Sequence, residues 1–200
     1  MIFTSQVVNR FSVFLTEMLG HGRASEDQVR YALFTAIREY AGIGDNEIQL
    51  ECPHPGIKGA KLDSFLPSSE GRGACAWELK YDRATPSGKN QPRSNKAGSL
   101  LNDFFRLAAL RDTVEIERIV IYLTDSEMAS YFQNPCNRLD ALFNLGSGAR
   151  FKIDDNLLAP LARSVRIKVK APITPCYAIG KFAAALPRDH QLRLYEVRLS

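Results

Sequence analysis

Glu78 and Lys80 stand two residues apart at the polar end of an apolar run, and Asp63 lies in a separate short run upstream. If the two runs are neighbouring strands, both carboxylates are fixed side by side and repel unless a cation lies between them. An oxygen-rich acidic pair suits Mg²⁺ or Mn²⁺; Mg²⁺ binds through one or two carboxylates together with water and phosphate oxygens. Strand side chains alternate with period two, so Lys80 projects to the same face as Glu78. Asp63, Glu78 and Lys80 can therefore meet at one point shared by a metal, a phosphate and a water. Such a set suits phosphodiester hydrolysis, in which a divalent ion acts as Lewis acid and lowers the pKa of its water. Asp63 and Glu78 would hold the ion, with the Leu79 backbone carbonyl as a further oxygen ligand. Lys80 would orient or help deprotonate the water, and crowding by a cation would lower its pKa. Taken alone, Glu78-Leu79-Lys80 also has the composition of an ion-paired strand end.

The elements that must position these residues are legible in the pattern around them. Residues 3–19 carry Val7, Phe11, Phe14, Leu15 and Met18 on one helical stripe, ended by Gly20-His21-Gly22. Ser25 begins a second helix, with Gln28 as capping-box partner and Gly42 at its end. Its stripe is Val29, Leu33, Ile37 and Tyr40; Glu39 lies near its end, off that stripe. Three short strands are expected at 47–52, 60–66 and 74–81, separated by Pro- and Gly-rich turns. Residues 82–98, rich in Pro, Gly, Ser and Asn, read as a mobile loop with Arg83, Lys89, Arg93 and Lys96 against Asp82 alone. Residues 99–111 form the clearest helix, apolar except for a strip at Asn102, Asp103 and Arg106. Asp103 and Arg106 have the spacing of an intrahelical ion pair as well as of a strip facing the site. A buried strand follows at 118–124, then short helices at 126–133 and 138–145. Residues 164–170 and 192–199 alternate apolar with charged residues and are expected as strands. The whole is an α/β protein with a central mixed sheet flanked by helices.

The order helix, strand, strand, strand, helix, strand over residues 25–124 places Asp63 on the second strand and Glu78-Leu79-Lys80 at the end of the third. This pattern resembles the PD-(D/E)XK nuclease superfamily, the restriction-endonuclease-like fold. Leu62 stands where the motif's name has proline, a variable position in that superfamily. The resemblance implies a Mg²⁺- or Mn²⁺-dependent endonuclease acting on DNA, often as a homodimer, with its core at 25–124. It implies metal ligands at Asp63 and Glu78 and catalytic roles for both and for Lys80. Many members add a glutamate from the first helix, for which Glu39 is the candidate. Residues 125–200 would complete a single domain spanning 1–200. Arg83, Lys89, Arg93, Lys96 and Arg106 are the candidate nucleic-acid contacts, since lysine and arginine release counterions from a phosphate backbone. A second reading, from a different class, is a non-catalytic nucleic-acid-binding or assembly module that retains the fold.

Composition narrows the alternatives. The 200 residues are 45% hydrophobic and 24% charged, ordinary for a soluble globular protein. No run of about 18 apolar residues and no signal-peptide pattern occurs, so a cytoplasmic protein is expected. Cys52, Cys75, Cys136 and Cys176 lack zinc-ligand spacing, and His21, His54 and His190 match no metal pattern. There is no glycine-rich phosphate loop and no G-x-S-x-G elbow. The net charge of +4 is uneven: residues 150–200 hold ten Lys/Arg and four Asp/Glu, while residues 1–149 hold 16 and 18. A basic carboxyl-terminal part suits a polyanionic partner.

Overall fold

Apolar residues run nearly unbroken along the two central strands, so each strand buries both faces and helices must cover both sides of the sheet. The computed structural model describes residues 1–22, 24–83, 91–110 and 116–200. Seven strands form one mixed sheet: β1 (Gln49–Pro53), β2 (Lys61–Leu66), β3 (Ala74–Asp82), β4 (Ile116–Thr124), β5 (Arg150–Ile153), β6 (Cys176–Leu186) and β7 (His190–Leu199). Their spatial order is β1-β2-β3-β4-β7-β6-β5. β3 and β4 are parallel, and the remaining neighbours are antiparallel. The helices are α1 (Ser5–His21), α2 (Glu26–Ala41), α3 (Arg93–Ala108), α4 (Ser126–Gln133), α5 (Asp140–Phe143), α6 (Asp155–Leu158) and α7 (Arg163–Arg166). The series expected over 25–124 occurs in order as α2, β1, β2, β3, α3 and β4. Among the described residues no helix is long and apolar enough to cross a membrane.

On one face, α1 and α2 pack against Cys75, Trp77, Leu79 and Tyr81 of β3 and Ile119, Ile121 and Leu123 of β4. The Thr4 side chain caps α1, and a Ser25–Gln28 capping box opens α2, which ends at a left-handed Gly42. Val29, Leu33 and Ile37 are buried as the stripe requires, but Tyr40 at the end of α2 is exposed. On the opposite face, α3 packs Leu101, Phe104, Phe105 and Ala108 against Ala74, Ala76, Val120 and Tyr122. Glu78 and Lys80 alternate with the residues under α1 and α2, so they emerge under α3.

Two expectations are corrected, and two strands are added. The segment 164–170 is not a strand: Arg163–Arg166 is one turn of helix, and Lys168 and Val169 continue with short-range backbone hydrogen bonds. A strand would need Val165, Ile167 and Val169 on one buried face, yet Ile167 is exposed and only Val165 is fully buried. The loop expected at 82–98 is in part helical, because α3 starts at Arg93; residues 84–90 lie outside the described residues. β5 and β6 were not anticipated. β5 is only four residues long, and β6 contains Gly180, a register shift and an alanine run that favours helix.

The docking of α7 on α3 depends on Gly98. A Cβ at this position would lie 2.2 Å from the Val165 carbonyl oxygen and 2.8 Å from Lys168 Cβ. Overpacking costs roughly 1–3 kcal/mol, against a helix-propensity gain of at most about 1 kcal/mol for alanine. Gly98→Ala is therefore expected to lower the unfolding free energy by about 1 kcal/mol or more in urea denaturation; an unchanged or raised midpoint would show that α7 yields freely.

A candidate acidic site where β2 parts from β3

The β2–β3 ladder is short. It pairs Leu66 with Cys75, Phe65 with Ala76 and Ser64 with Trp77, then stops. One more step of that register sets Asp63 opposite Glu78. β2 continues past this point only with β1, whose Glu51 lies opposite Asp63 and has φ 49. The irregularity in β1 and the end of the ladder thus fall at the same residue. β3 runs on paired only with β4, and the donors on its other edge need other partners. The Leu79 N–H donates to Asp63 Oδ2 (3.1 Å), and the Tyr81 N–H donates to Glu26 Oε2 (3.3 Å). The Leu79 carbonyl leaves the strand on the same edge as its N–H.

Glu78 points under α3 and has no solvent exposure. Arg106 of α3 meets it with a fork: Nε donates to Oε1 at 2.8 Å, and Nη2 donates to Oε2. The same Nη2 donates to Asp103 Oδ1 at 3.0 Å and lies 3.9 Å from Asp63 Oδ1. Three carboxylates from β2, β3 and α3 therefore converge on one guanidinium nitrogen. Lys80 Nζ lies 3.4 Å from Asp103 Oδ2. His54 steadies α3 at this level. Its Nδ1 accepts from the Gly56 N–H (3.0 Å), so Nε2 carries the proton and donates to the Arg106 carbonyl (2.9 Å). Burial holds this imidazole below its ordinary pKa, consistent with that neutral tautomer.

The electrostatics follow from burial and crowding. Desolvation, reinforced by Asp63 and Asp103, raises the Glu78 carboxyl well above the usual range against the pull of Arg106. Burial raises the Asp103 carboxyl to about 6, although Lys80 and Arg106 oppose the rise. Desolvation at the strand end likewise raises Glu26. Burial alone would lower Lys80, but Asp103, Asp82, Glu26 and Asp63 outweigh it, and its pKa rises. Lys80 is thus held as an ammonium among these carboxylates.

Asp63, Glu78 and Lys80 are brought together, with Asp103 and Arg106 from the polar strip of α3. Asn102 of that strip serves elsewhere, accepting from the Lys170 and Ala171 N–H groups at 2.7 and 2.8 Å. Glu39 is not brought to the site. It is exposed and paired with Arg10 Nε of α1 at 2.8 Å. α2 presents its amino-terminal end, so Glu26 reaches β3; Glu39 lies thirteen positions further on, about 20 Å along the axis. The one sequence signal for Glu26 was its place in the first turn after Ser25, which reads equally as a helix-dipole charge.

Of the candidate nucleic-acid contacts, Arg83, Arg93 and Lys96 lie together near the start of α3. Arg83 lies over the Tyr81 ring, 5.6 Å from its centroid, and its carbonyl accepts from Lys96 Nζ at 2.8 Å. Arg93 pairs with Glu127 at 2.8 Å. Arg106 is turned into the acidic site, and Lys89 lies outside the described residues.

The donor set is all oxygen and suits a hard divalent ion, with Asp63 and Glu78 as the first ligands. Among the described residues, however, no three His, Cys, Asp or Glu side chains are gathered as a metal-ligand set. The carboxylates of this site surround a guanidinium instead. No family model, curated protein or solved structure matches the chain.

Asp103 titrates at about 6 in the fold against an ordinary 3.8, so the native state holds an extra proton between these values. Its contribution to stability is full below 3.8 and is lost as pH rises through about 6. Unfolding free energy measured from about pH 4 to about pH 7 is expected to fall less in Asp103→Asn than in the parent. Superimposable pH profiles would count against this assignment.

Proposed function

We propose that this chain is a divalent-metal-dependent nuclease acting on DNA, with a core like that of the PD-(D/E)XK, restriction-endonuclease-like superfamily. One observation carries the reading. Asp63 Oδ1, from the strand that parts from β3, and Glu78, from β3 itself, both reach the same cation position at Arg106 Nη2, with the Lys80 ammonium beside them. Held by Asp63 and Glu78, Mg²⁺ or Mn²⁺ would supply the Lewis acidity that offsets charge on the phosphate and the leaving oxygen. Lys80 would orient or help deprotonate the attacking water, and its charge would offset that of the phosphate. Glu26 takes the position on the first core helix assigned from sequence to Glu39. The partner fits the charge distribution: Arg163, Arg166, Lys168 and Lys170 lie on and beside α7, next to α3, and no Asp or Glu occurs from residue 156 to 188.

A second reading is favoured by the guanidinium itself. Arg106 already neutralises Glu78 and binds Asp103, as a non-catalytic nucleic-acid-binding or assembly module would require.

Cleavage of supercoiled plasmid in Mg²⁺ or Mn²⁺ tests the first reading. Asp63→Asn and Lys80→Ala are each expected to slow it by roughly 100-fold with an unchanged circular dichroism spectrum. Undiminished cleavage by both variants sinks the site assignment, and duplex binding by a parent chain that never cuts supports the second reading. The α7 surface is tested separately. If Arg166 and Lys168 each neutralise a phosphate, the double charge reversal Arg166→Glu/Lys168→Glu reduces the slope of log K against log salt for duplex DNA by about 2. An unaltered slope removes α7 from the interface.

A further inference from the structure

We propose that Arg106 is the resident cation of this site, and that a divalent ion enters by displacing it onto a phosphate of the nucleic acid. The proposal rests on the nuclease reading and adds a residue that reads metal and substrate together.

Arg106 Nη2 stands where carboxylate oxygens from Asp63, Glu78 and Asp103 converge. An ion held where the Asp63 and Glu78 oxygens converge would stand in the position of Arg106 Nη2, and two cations cannot occupy one place. One of the two cations has to leave. Glu78 is fully buried beneath α3, with the Arg106 guanidinium on its carboxylate. The helix itself is held, because the Arg106 carbonyl is bound by His54, whose other nitrogen is bound by the Gly56 N–H. Exchange therefore goes through the Arg106 side chain, which is 19% exposed and sits at the rim of the site. Asp103 does not become an unpaired buried charge when Arg106 swings away, since Lys80 stays with it.

The released guanidinium is a planar fork that matches two phosphate oxygens as well as it matches a carboxylate. In the free protein Arg106 is bound inward. With ion and nucleic acid present it is bound outward, and its charge is used in both states. The apparent metal affinity of the free protein is reduced by the fraction of molecules in which Glu78 is released. By linkage, phosphate-bearing duplex and metal strengthen each other's binding by the same factor, through Arg106.

Mn²⁺ binding to the full chain, followed by calorimetry and by electron paramagnetic resonance, decides the matter without reference to activity. Arg106→Gln is expected to bind Mn²⁺ roughly tenfold or more tightly than the parent, and Arg106→Gln/Glu78→Gln to lose that gain. A duplex with a non-hydrolysable phosphorothioate backbone is expected to tighten Mn²⁺ binding in the parent and to leave Arg106→Gln unaffected. Circular dichroism checks that the variant folds. Should Arg106→Gln fail to fold, Arg106→Lys keeps the charge without the fork, and Mn²⁺ is expected to bind it more tightly than the parent by a smaller factor. Equal affinity in the parent and the folded variants, abolished by Glu78→Gln, overturns the displacement while preserving the metal site. No Mn²⁺ binding by parent or variants overturns the metal-dependent reading as well.

Discussion

A carboxylate sealed from water in the middle of a sheet is costly unless a proton or a cation meets it, and Glu78 is such a group. The surroundings are arranged around that constraint. Arg106 reaches down from α3 with both arms of its fork. Asp103 binds the same guanidinium and also lies beside the Lys80 ammonium, so the two cations and the two buried carboxylates form one network. The apolar faces of α3 and β3 do the rest. Leu101, Phe104 and Phe105 pack the helix tightly enough to keep the acidic residues dry, and His54 fixes the helix where Arg106 leaves it.

The same strand has to be open on its edge for this network to be reachable. β2 leaves β3 after Ser64, so the Leu79 and Tyr81 N–H groups lose their ladder partners. An uncompensated N–H near the interior is expensive, and here carboxylates supply the missing acceptors. Asp63 and Glu26 are thus drawn to the strand end by ordinary backbone hydrogen bonding, whatever else they do. The gap that creates the demand also concentrates acidic oxygens beside Glu78. Structure and chemistry are not competing explanations for Asp63: the hydrogen bond from Leu79 aims one oxygen at the backbone and leaves the other 3.9 Å from Arg106 Nη2.

The residues that were legible in the sequence are those whose position depends on local period. Glu78 and Lys80 share a face because strands alternate, and Asp103 and Arg106 share one because helices repeat at three to four residues. Asp63 was legible because its short strand is bracketed by turns. Glu39 failed because the end of a helix that meets a sheet is set by tertiary packing, and both ends of α2 carry glutamate. Residues 164–170 failed because alternation over seven residues fits a strand, while the actual segment needs only Val165 buried and satisfies its backbone in turns. The raised pKa of Lys80 is likewise set by tertiary packing. Its sign depends on which charges surround it in space, and three of the four carboxylates that raise it come from α2, α3 and β2.

Charge balance links the site to its proposed partner. Among the described residues the four carboxylates of Glu26, Asp63, Glu78 and Asp103 face three cations, Lys80, Arg106 and, beside Glu26, Arg30, so with every group ionised the cluster is negative. A phosphate approaching it would be repelled. Protonation removes part of that charge, as the raised Glu78 and Asp103 carboxyls indicate, but a divalent ion removes it without giving up the carboxylates. The basic residues of α7 cannot substitute for the ion, because they lie on the far side of α3's polar strip, where Asn102 ties down residues 170 and 171. They can attract a polyanion along the outside of α3 while the acidic cluster holds its phosphates off. In the proposed exchange a divalent ion brings two positive charges to the centre, and the Arg106 guanidinium it displaces remains at the rim as a further charge for an approaching phosphate.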